Sequence, residues 1–260
     1  MRSDGRSGEF DELAADYEEA LDDPARRVFA PSPEFFIRVK WDHLLRALER
    51  ETPAGALRQW RWLDVGCGDG KMLRLGRDRL GAAVGADISL PMLKRSVSLA
   101  AEDAPRSSLS GAKQACLLKR ADHPQLVNAR AESLPFPSQS FDLVTAVCLL
   151  HHLPTSALDS CVAEMVRLLR PCGVLAIAEH NPLNPVTRGV VHRSRVDRTS
   201  RLLRAGQAVD LCKQCGLGPV RVRYCLFLPA RLYRVAGRLE FALHRLPLGG
   251  QYWVIARKPG

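Results

Sequence analysis

An apolar strand that runs directly into glycines is the feature of this 260-residue chain with the clearest chemical meaning. It reads Trp62-Leu-Asp-Val-Gly-Cys-Gly-Asp-Gly70, and a helical pattern follows it. Glycines at 66, 68 and 70 permit a sharp turn and let a ligand approach the backbone, while the next helix offers unpaired N–H groups at its start. The segment therefore predicts a site for a nucleotide-type ligand.

A carboxylate follows at the tip of the next predicted strand. Asp87 lies 19 residues after Gly68, where it can accept hydrogen bonds from both hydroxyls of a ribose. Capping the helix that begins near Ser89 is the alternative role for this side chain. Lys71 stands where a dinucleotide-binding fingerprint has its third glycine, which argues against a nicotinamide or flavin site.

Alternating strand and helix patterns indicate the elements that position these residues. From residue 60 the order predicts a mostly parallel sheet with helices on both faces. Strands are predicted at 60–65, 82–86, 125–129, 141–147, 174–178, 220–228 and 251–256. Helices are predicted at 9–22 and 34–50, after Asp69, from Pro91, and at 155–169, 199–215 and 229–246.

The same patterns suggest how the chain is divided. Residues 1–55 are predicted to form an N-terminal helical extension and residues 56–260 an α/β domain, in which 181–250 supplies the loop, helices and lid on the substrate side. The stretch between the predicted helix from Pro91 and the strand at 125 is long and rich in serine, alanine and charge, so it is interpreted as a surface insertion.

Four motifs in order resemble those of the class I S-adenosylmethionine-dependent methyltransferases, in particular the small-molecule enzymes related to the ubiquinone and menaquinone methyltransferases. They are Leu63-Asp-Val-Gly-Cys-Gly-Asp-Gly70, Gly85-Ala-Asp-Ile-Ser89, Ala131-Glu-Ser-Leu-Pro-Phe136 and Phe141-Asp-Leu-Val144, and the match spans residues 60–180. The resemblance implies a Rossmann-like, seven-stranded, mostly parallel sheet with helices on both faces. It also implies a C-terminal antiparallel hairpin with a helical insertion.

By this resemblance the cofactor is S-adenosylmethionine. Its methionine part would contact Gly66, Cys67 and Gly68, its ribose Asp87, and its adenine Ile88, Met92, Ala131 and Glu132, while Asp64 and Cys148 complete the implied set. One departure concerns the adenine: Arg130 stands where many family members carry an acidic residue or asparagine. Adenine recognition would then use backbone groups, Glu132 or Asn128.

Transfer of a methyl group from a sulfonium requires in-line geometry in a dry pocket, and a base when the acceptor is a hydroxyl. Such a base should follow the fourth or fifth strand, which makes His151, His152 and His180 the catalytic candidates. Ring packing by the histidine pair, and a rigid loop over 179–185, are the structural alternatives. Cys212 and Cys215 form a Cys-x-x-Cys pair without further ligands at zinc spacing, so no metal is predicted.

Charge and hydropathy bear on the acceptor. Residues 185–260 carry 15 basic and 3 acidic groups, and 229–246 interleaves arginines with apolar residues. This pattern fits peripheral contact with a membrane, and equally a core-facing helix with a solvated arginine face. The chain lacks a run of about 20 apolar residues, and its eight cysteines have no disulfide-framework spacing, so a cytoplasmic protein is expected.

We therefore expect methylation, at oxygen or carbon, of a small acceptor that is hydrophobic or lipid-like. An RNA methyltransferase, for example one that acts on tRNA and uses the basic C-terminal third to bind phosphates, is the alternative. A cofactor-binding pseudoenzyme subunit is the second alternative.

Overall fold

A seven-stranded sheet organises the computed structural model, which describes residues 5–102, 124–197 and 199–260. Its spatial order is β3-β2-β1-β4-β5-β7-β6. Neighbours among β1 to β5 pair in parallel, whereas β7 is antiparallel to both β5 and β6. The strands are β1 (Trp62–Val65), β2 (Ala83–Asp87), β3 (Gln125–Asn128), β4 (Phe141–Val147), β5 (Leu169–His180), β6 (Val220–Cys225) and β7 (Gln251–Arg257). The predicted fold is confirmed.

Helices cover both faces of this sheet. Within the described ranges they are α1 (Gly5–Leu13), α2 (Tyr17–Ala20), α3 (Pro24–Phe29), α4 (Glu34–Glu49), α5 (Lys71–Gly76), α6 (Leu90–Glu102), α7 (Thr155–Leu168), α8 (Pro185–Arg193), α9 (Ala205–Gln214) and α10 (Ala230–Ala242). The surface insertion predicted before the strand at 125 lies almost entirely outside the described residues.

Alternate residues of the central strands supply two separate cores, because successive side chains of a strand point to opposite faces. In β5, Leu175 and Ile177 pack in one cluster with α7 and α9. Val174 and Ala176 pack in the other, with Val39 and further residues of α4 and with α5. Burial on both faces explains why the central strands read as nearly continuous apolar runs rather than alternating patterns.

Two short helices, α3 and α8, lie outside the segments predicted to be helices, and both begin in the same way. At α3, the Asp23 carboxylate accepts from the N–H groups of Ala25 and Arg26 with proline in the first turn. At α8, the Asn184 side chain accepts from Thr187 N, again with proline in the first turn. An Asp or Asn cap followed by proline is a favourable helix start, so the Pro/Asn segment after β5 is partly helical rather than only a turn.

The chain order creates a crevice between β1 and β4. From β1 the chain proceeds outward to β2 and β3, then returns to the other side of β1 to form β4. The loops that leave the carboxyl ends of β1 and β4 therefore diverge, and ligands of open α/β sheets bind at such a point. The predicted glycine turn follows β1, and the histidine pair follows β4.

Candidate functional site

A cavity of about 420 Å³ opens at the carboxyl ends of these strands. It is lined on one side by the loops after β1, β2 and β3, and on the other by residues that follow β4 and β5. All ten residues that the resemblance assigned to the cofactor line it: Asp64, Gly66, Cys67, Gly68, Asp87, Ile88, Met92, Ala131, Glu132 and Cys148. Their roles remain predictions, but the fold brings them to one space.

The glycine turn has the backbone shape that its sequence predicts. Gly66, Gly68 and Gly70 all have positive φ, at 69°, 51° and 71°. A side chain at Gly70 would in addition place its Cβ 2.2 Å from Ser96 Oγ on α6. Gly70 therefore packs closely against α6, while Gly66 and Gly68 line the cavity.

Asp87 joins the turn to the second strand. One carboxylate oxygen accepts from Gly68 N at 2.8 Å and the other from Ser89 N at 2.8 Å. Burial raises the pKa of Asp87, and these backbone hydrogen bonds oppose the rise. Because a carboxylate can accept about four hydrogen bonds, both oxygens can still receive ribose hydroxyls. The capping alternative is thus compatible with ligand binding.

Asn128 is placed differently from one of the sequence alternatives. Its amide nitrogen donates to the carbonyl oxygens of Asp87 and Ile88 at 3.0 and 2.8 Å, and its side chain is absent from the cavity lining. Asn128 therefore fixes the loop that carries Asp87 instead of facing the adenine. Arg130 and Glu132 do line the cavity, with their side chains 3.4 Å apart.

His151 does not line the cavity, which corrects its assignment as an acceptor-contacting base. It is 1% exposed, with Nδ1 against the Glu179 carboxylate and Nε2 3.3 Å from Asp197 Oδ1. Burial alone would lower the pKa of His151, but the charge of Glu179 and the bond to Asp197 raise it well above 6.5. Glu179 also accepts a hydrogen bond from Leu150 N at 2.7 Å. The His151–Glu179 pair is therefore a fixed, charged group packed behind the residues that line the cavity.

His152 and His180 do line the cavity, in contrasting environments. His152 Nε2 lies 3.5 Å from the same Asp197 oxygen, and burial lowers its pKa although Asp197 opposes the shift. Burial lowers the pKa of His180 to about 3, so its imidazole is neutral at physiological pH. Its Nδ1 lies 3.1 Å from the Gln251 amide nitrogen. If that N–H donates to Nδ1, the ring proton of His180 is on Nε2.

Ring nitrogens of His151 and His152 and a carboxylate oxygen of Asp197 lie within 4.8 Å of one another, close enough to hold a metal ion. The hydrogen bonds and opposite charges of Glu179 and Asp197 already account for this arrangement. We therefore interpret it as a charged hydrogen-bond network.

The wall facing the strands comes from the N-terminal helices, which is not where a lid was predicted. Residues 229–246 do not line the cavity, and the predicted lid region contributes Val196 and Asp197. Tyr233 Oη donates to Asp42 at 2.9 Å, which holds α10 against α4 outside the cavity. This N-terminal region contributes seven lining residues that the sequence did not identify: Phe10, Tyr17, Leu21, Arg26, Pro33, Ile37 and Lys40.

Comparison with known proteins decides the class. A family model described as a methyltransferase domain matches residues 63–177. Residues 63–177 form a methyltransferase domain. The ubiquinone/menaquinone biosynthesis C-methyltransferase UbiE of Hahella chejuensis is 41% identical over 66 residues, which are 25% of this chain and 26% of that protein. The methyltransferase GfsG of Streptomyces halstedii is 34% identical over 145 residues, 54% of this chain and 46% of that protein.

Less than half of each of these two relatives is therefore matched. Among solved structures, the magnesium protoporphyrin IX methyltransferase ChlM of Synechocystis, with bound SAH, superposes with a TM-score of 0.63. That match covers 97% of both chains at 13% sequence identity, so it shows that the methyltransferase fold extends over nearly the whole chain. S-adenosylmethionine is the cofactor that domains of this class bind.

The residues present fit that cofactor. The methyltransferase domain offers a carboxylate for the ribose at Asp87, apolar surfaces for a purine at Ile88 and Met92, and a close backbone approach at Gly66 and Gly68. Asp64, 2% exposed, lies in β1 two residues before Gly66 and accepts from Thr145 Oγ1 at 2.5 Å. Burial raises the pKa of Asp64 to about 7, which an ammonium group of a ligand would reverse.

Proposed function

We propose that this protein transfers the methyl group of S-adenosylmethionine to a small hydrophobic or lipid-like acceptor, at oxygen or carbon. The observation that carries the proposal is one cavity in which Asp87 and the glycine turn face His152 and His180. A cofactor whose ribose lies on Asp87 and whose methionine part lies along the turn after β1 would direct its methyl group toward β4 and β5. His152 follows β4, and His180 is the last residue of β5.

When bound, the cofactor supplies an activated methyl group with a good leaving group. The chain supplies position and a dry environment: helices α1 to α4 enclose the side opposite the sheet, and Phe10, Leu21, Ile37 and Leu153 give it apolar lining. Holding the two reacting atoms about 3–3.5 Å apart in such a space accounts for a large part of the acceleration expected of this chemistry.

We assign different tasks to the two histidines. His152 is the better proton acceptor, since the carboxylate of Asp197 lies 3.5 Å from its Nε2 and stabilises an imidazolium there. His180, with its pKa lowered to about 3 by burial, is a weak base. It is suited to donate a hydrogen bond from Nε2 and so to orient the acceptor. His151 acts through Asp197 and is a positioning residue.

The character of the acceptor is inferred from the lining and from the surface at the same edge. Helix α10 exposes Leu232, Val235 and Leu239, at 51%, 83% and 48%, together with Arg231, Arg234 and Arg238. Its anchors are Tyr233, Phe241, which stacks under Arg46, and Glu240. Leu232, Val235 and Leu239 thus face outward, while the side chains of Tyr233 and Phe241 pack inward.

The neighbouring loops extend this apolar surface. Asn181 and Asn184 donate to the carbonyl oxygens of Pro247, Gly249 and Leu248, which holds the loops before α8 and before β7 together. Leu183, Val186, Leu246 and Leu248, on or beside these loops, are 46–65% exposed. Arginines beside exposed aliphatic side chains fit an anionic membrane surface, from which a lipid-like acceptor could reach the cavity. In the described ranges, no helix has the length and hydrophobicity needed to cross a bilayer.

The names of two similar proteins point the same way, because they refer to ubiquinone/menaquinone biosynthesis and to magnesium protoporphyrin IX.

Transfer of a tritiated methyl group from labelled S-adenosylmethionine into a cell extract tests the proposed function. We expect label in the organic phase after partition, and its loss with Asp87→Ala. Label in RNA of the aqueous phase would support the RNA alternative, and no transfer with intact S-adenosylhomocysteine binding would support the pseudoenzyme.

Membrane contact has its own test with phosphatidylglycerol vesicles. Replacing Leu232, Val235 and Leu239 together by serine should abolish sedimentation with vesicles and leave affinity for S-adenosylhomocysteine unchanged. Unchanged vesicle binding, or binding to tRNA that the arginines alone support, would contradict a lipid surface as the partner.

A further inference from the structure

Lys40 is a buried cation that the proposed mechanism does not use. It is on α4 between Val39 and Trp41, is 3% exposed, and lines the cavity. Its backbone carbonyl accepts the indole N–H of Trp253 at 3.1 Å, which fixes this turn of α4 against β7. The ammonium group is therefore held at the cavity by packed structure rather than by a mobile surface segment.

No carboxylate of the described ranges forms an ion pair with this ammonium. The polar contact that the structure gives it is Cys148 Sγ at 3.6 Å, and burial raises the pKa of that thiol, so it stays neutral. Lys71 lines the same cavity and differs: its Nζ lies 3.0 Å from Asp69 and 3.4 Å from Glu18. Among the described residues, Lys71 thus has carboxylate partners, and Lys40 has none.

An ammonium group taken out of water without a counter-charge is unfavourable, and a ligand anion that pairs with it recovers much of that cost. The second charged group nearby is Asp64, whose pKa burial raises and Lys40 lowers. The ammonium group of Lys40 and the carboxyl group of Asp64 interact electrostatically near the end of β1. They are complementary to the carboxylate and the ammonium group of an α-amino acid. The methionine part of the cofactor is predicted to occupy that end.

We propose that Lys40 is the carboxylate-binding group of the cavity, and that it holds the α-carboxylate of the cofactor's amino-acid part while Asp64 faces the α-amino group. This inference rests on the proposed function. An acidic group on the acceptor is the other source of the same chemistry, so the experiment has an arm for each source.

The first arm compares two ligands by calorimetry: S-adenosylhomocysteine, and 5′-methylthioadenosine, which keeps the adenosine and sulfur but lacks the amino acid. Lys40→Met should weaken S-adenosylhomocysteine about 10- to 100-fold, the range for a charge-assisted hydrogen bond, and change methylthioadenosine less than about twofold. Lys71→Met, the matched control in the same cavity, should change both ligands less than about twofold, since Lys71 is already paired.

The second arm titrates decanoate, an apolar-tailed carboxylate, into protein saturated with S-adenosylhomocysteine. If Lys40→Met leaves the affinity for S-adenosylhomocysteine unchanged and lowers the affinity for decanoate, Lys40 binds a carboxylate of the acceptor. If neither carboxylate ligand is weakened, the assignment of Lys40 is overturned. Wild-type protein that fails to bind S-adenosylhomocysteine would instead refute the proposed function, and this inference with it.

A folding defect is separated by thermal melting. Methionine keeps the length of the lysine side chain and removes a buried charge, so we expect no loss of melting temperature in Lys40→Met. Lys40→Gln, which keeps a hydrogen-bond donor without the charge, should reproduce the selective loss of S-adenosylhomocysteine. Equal weakening of both adenosine ligands in the two variants would contradict a role at the carboxylate.

Discussion

The two halves of the cavity are built in different ways. The half predicted to bind the cofactor comes mainly from the turn after β1 and from residues at the end of β2 and the start of α6, which are neighbouring elements of the chain. The opposite half combines Tyr17 with His152, His180 and Gln251, which are spread over most of the chain. Binding residues that lie close together in the sequence form a motif that can be recognised from the sequence alone. Residues brought together by long-range contacts form no such motif.

The halves differ in electrostatics as well. In the first, burial raises the pKa of both Asp64 and Asp87, with no cation in direct contact with either carboxylate among the described residues. In the second half, the pKa values of neighbouring histidines are shifted in opposite directions. Glu179 and Asp197 raise the pKa of His151 and so keep it charged, while burial lowers the pKa of His180 and keeps it neutral. Separated pKa values among adjacent groups are typical of sites that move protons.

The largest effect expected is on turnover. His152→Ala should lower kcat about 10²- to 10⁴-fold, because it removes the base that Asp197 supports, and leave affinity for S-adenosylhomocysteine nearly unchanged. His180→Ala should lower kcat less and raise the acceptor KM, as expected for a hydrogen-bond donor. Steady-state kinetics with the acceptor found by phase partition measures both. Full turnover in His152→Ala would mean that the acceptor half works by positioning alone.

The second effect is on stability and concerns the support beneath the acceptor half. Glu179→Gln breaks a fully buried pair with His151 and should lower the free energy of unfolding by about 3–5 kcal/mol. Glu49→Gln breaks an exposed pair with Arg79 and should cost less than about 1 kcal/mol. Urea denaturation compares the two variants. Similar losses in both would show that the buried network is not structurally important.

A smaller effect tests the cofactor half. Asp87→Ala should weaken S-adenosylhomocysteine by about 1.5–3 kcal/mol, or about 10- to 150-fold, and weaken methylthioadenosine equally because both ligands carry the ribose. This equal loss contrasts with the selective loss expected at Lys40. Calorimetry on a variant with unchanged circular dichroism decides it, and unaltered affinity would mean that the ribose lies elsewhere.

The smallest effect is a pH dependence. The pKa of His151 is raised in the folded protein, so its stabilising contribution is complete below the unfolded value of 6.5 and is lost as the pH rises toward the folded value. The stability difference between wild type and His151→Gln should therefore shrink between pH 6.5 and 8.5, at up to about 1.4 kcal/mol per pH unit. His180 changes the free energy of unfolding with the opposite sign below pH 6.5, but its contribution is common to both proteins and cancels in the difference. A constant difference over this range would contradict a charged His151.

Most of the sheet could be anticipated, and the ten residues predicted for the cofactor all line the cavity, since the motif residues lie at or after strands whose order the sequence indicates. Lys40 was missed although it interrupts the apolar face of α4, which is the signal that could have revealed it. Asp197 could not be paired with His151 from the sequence, because 46 residues separate them and the loop after α8 determines their approach. The outward leucines of α10 were ambiguous, because periodicity does not say which face of a helix is buried.

A structure of the protein with S-adenosylhomocysteine bound tests most directly the claim that one cavity joins the two halves. We predict the ribose hydroxyls on the Asp87 carboxylate, and the sulfur facing Cys148 with ring nitrogens of His152 and His180 within about 8 Å, which leaves room for an acceptor atom about 3–3.5 Å from the methyl position. A ribose away from Asp87, or a sulfur separated from both histidines by the chain, would contradict the account.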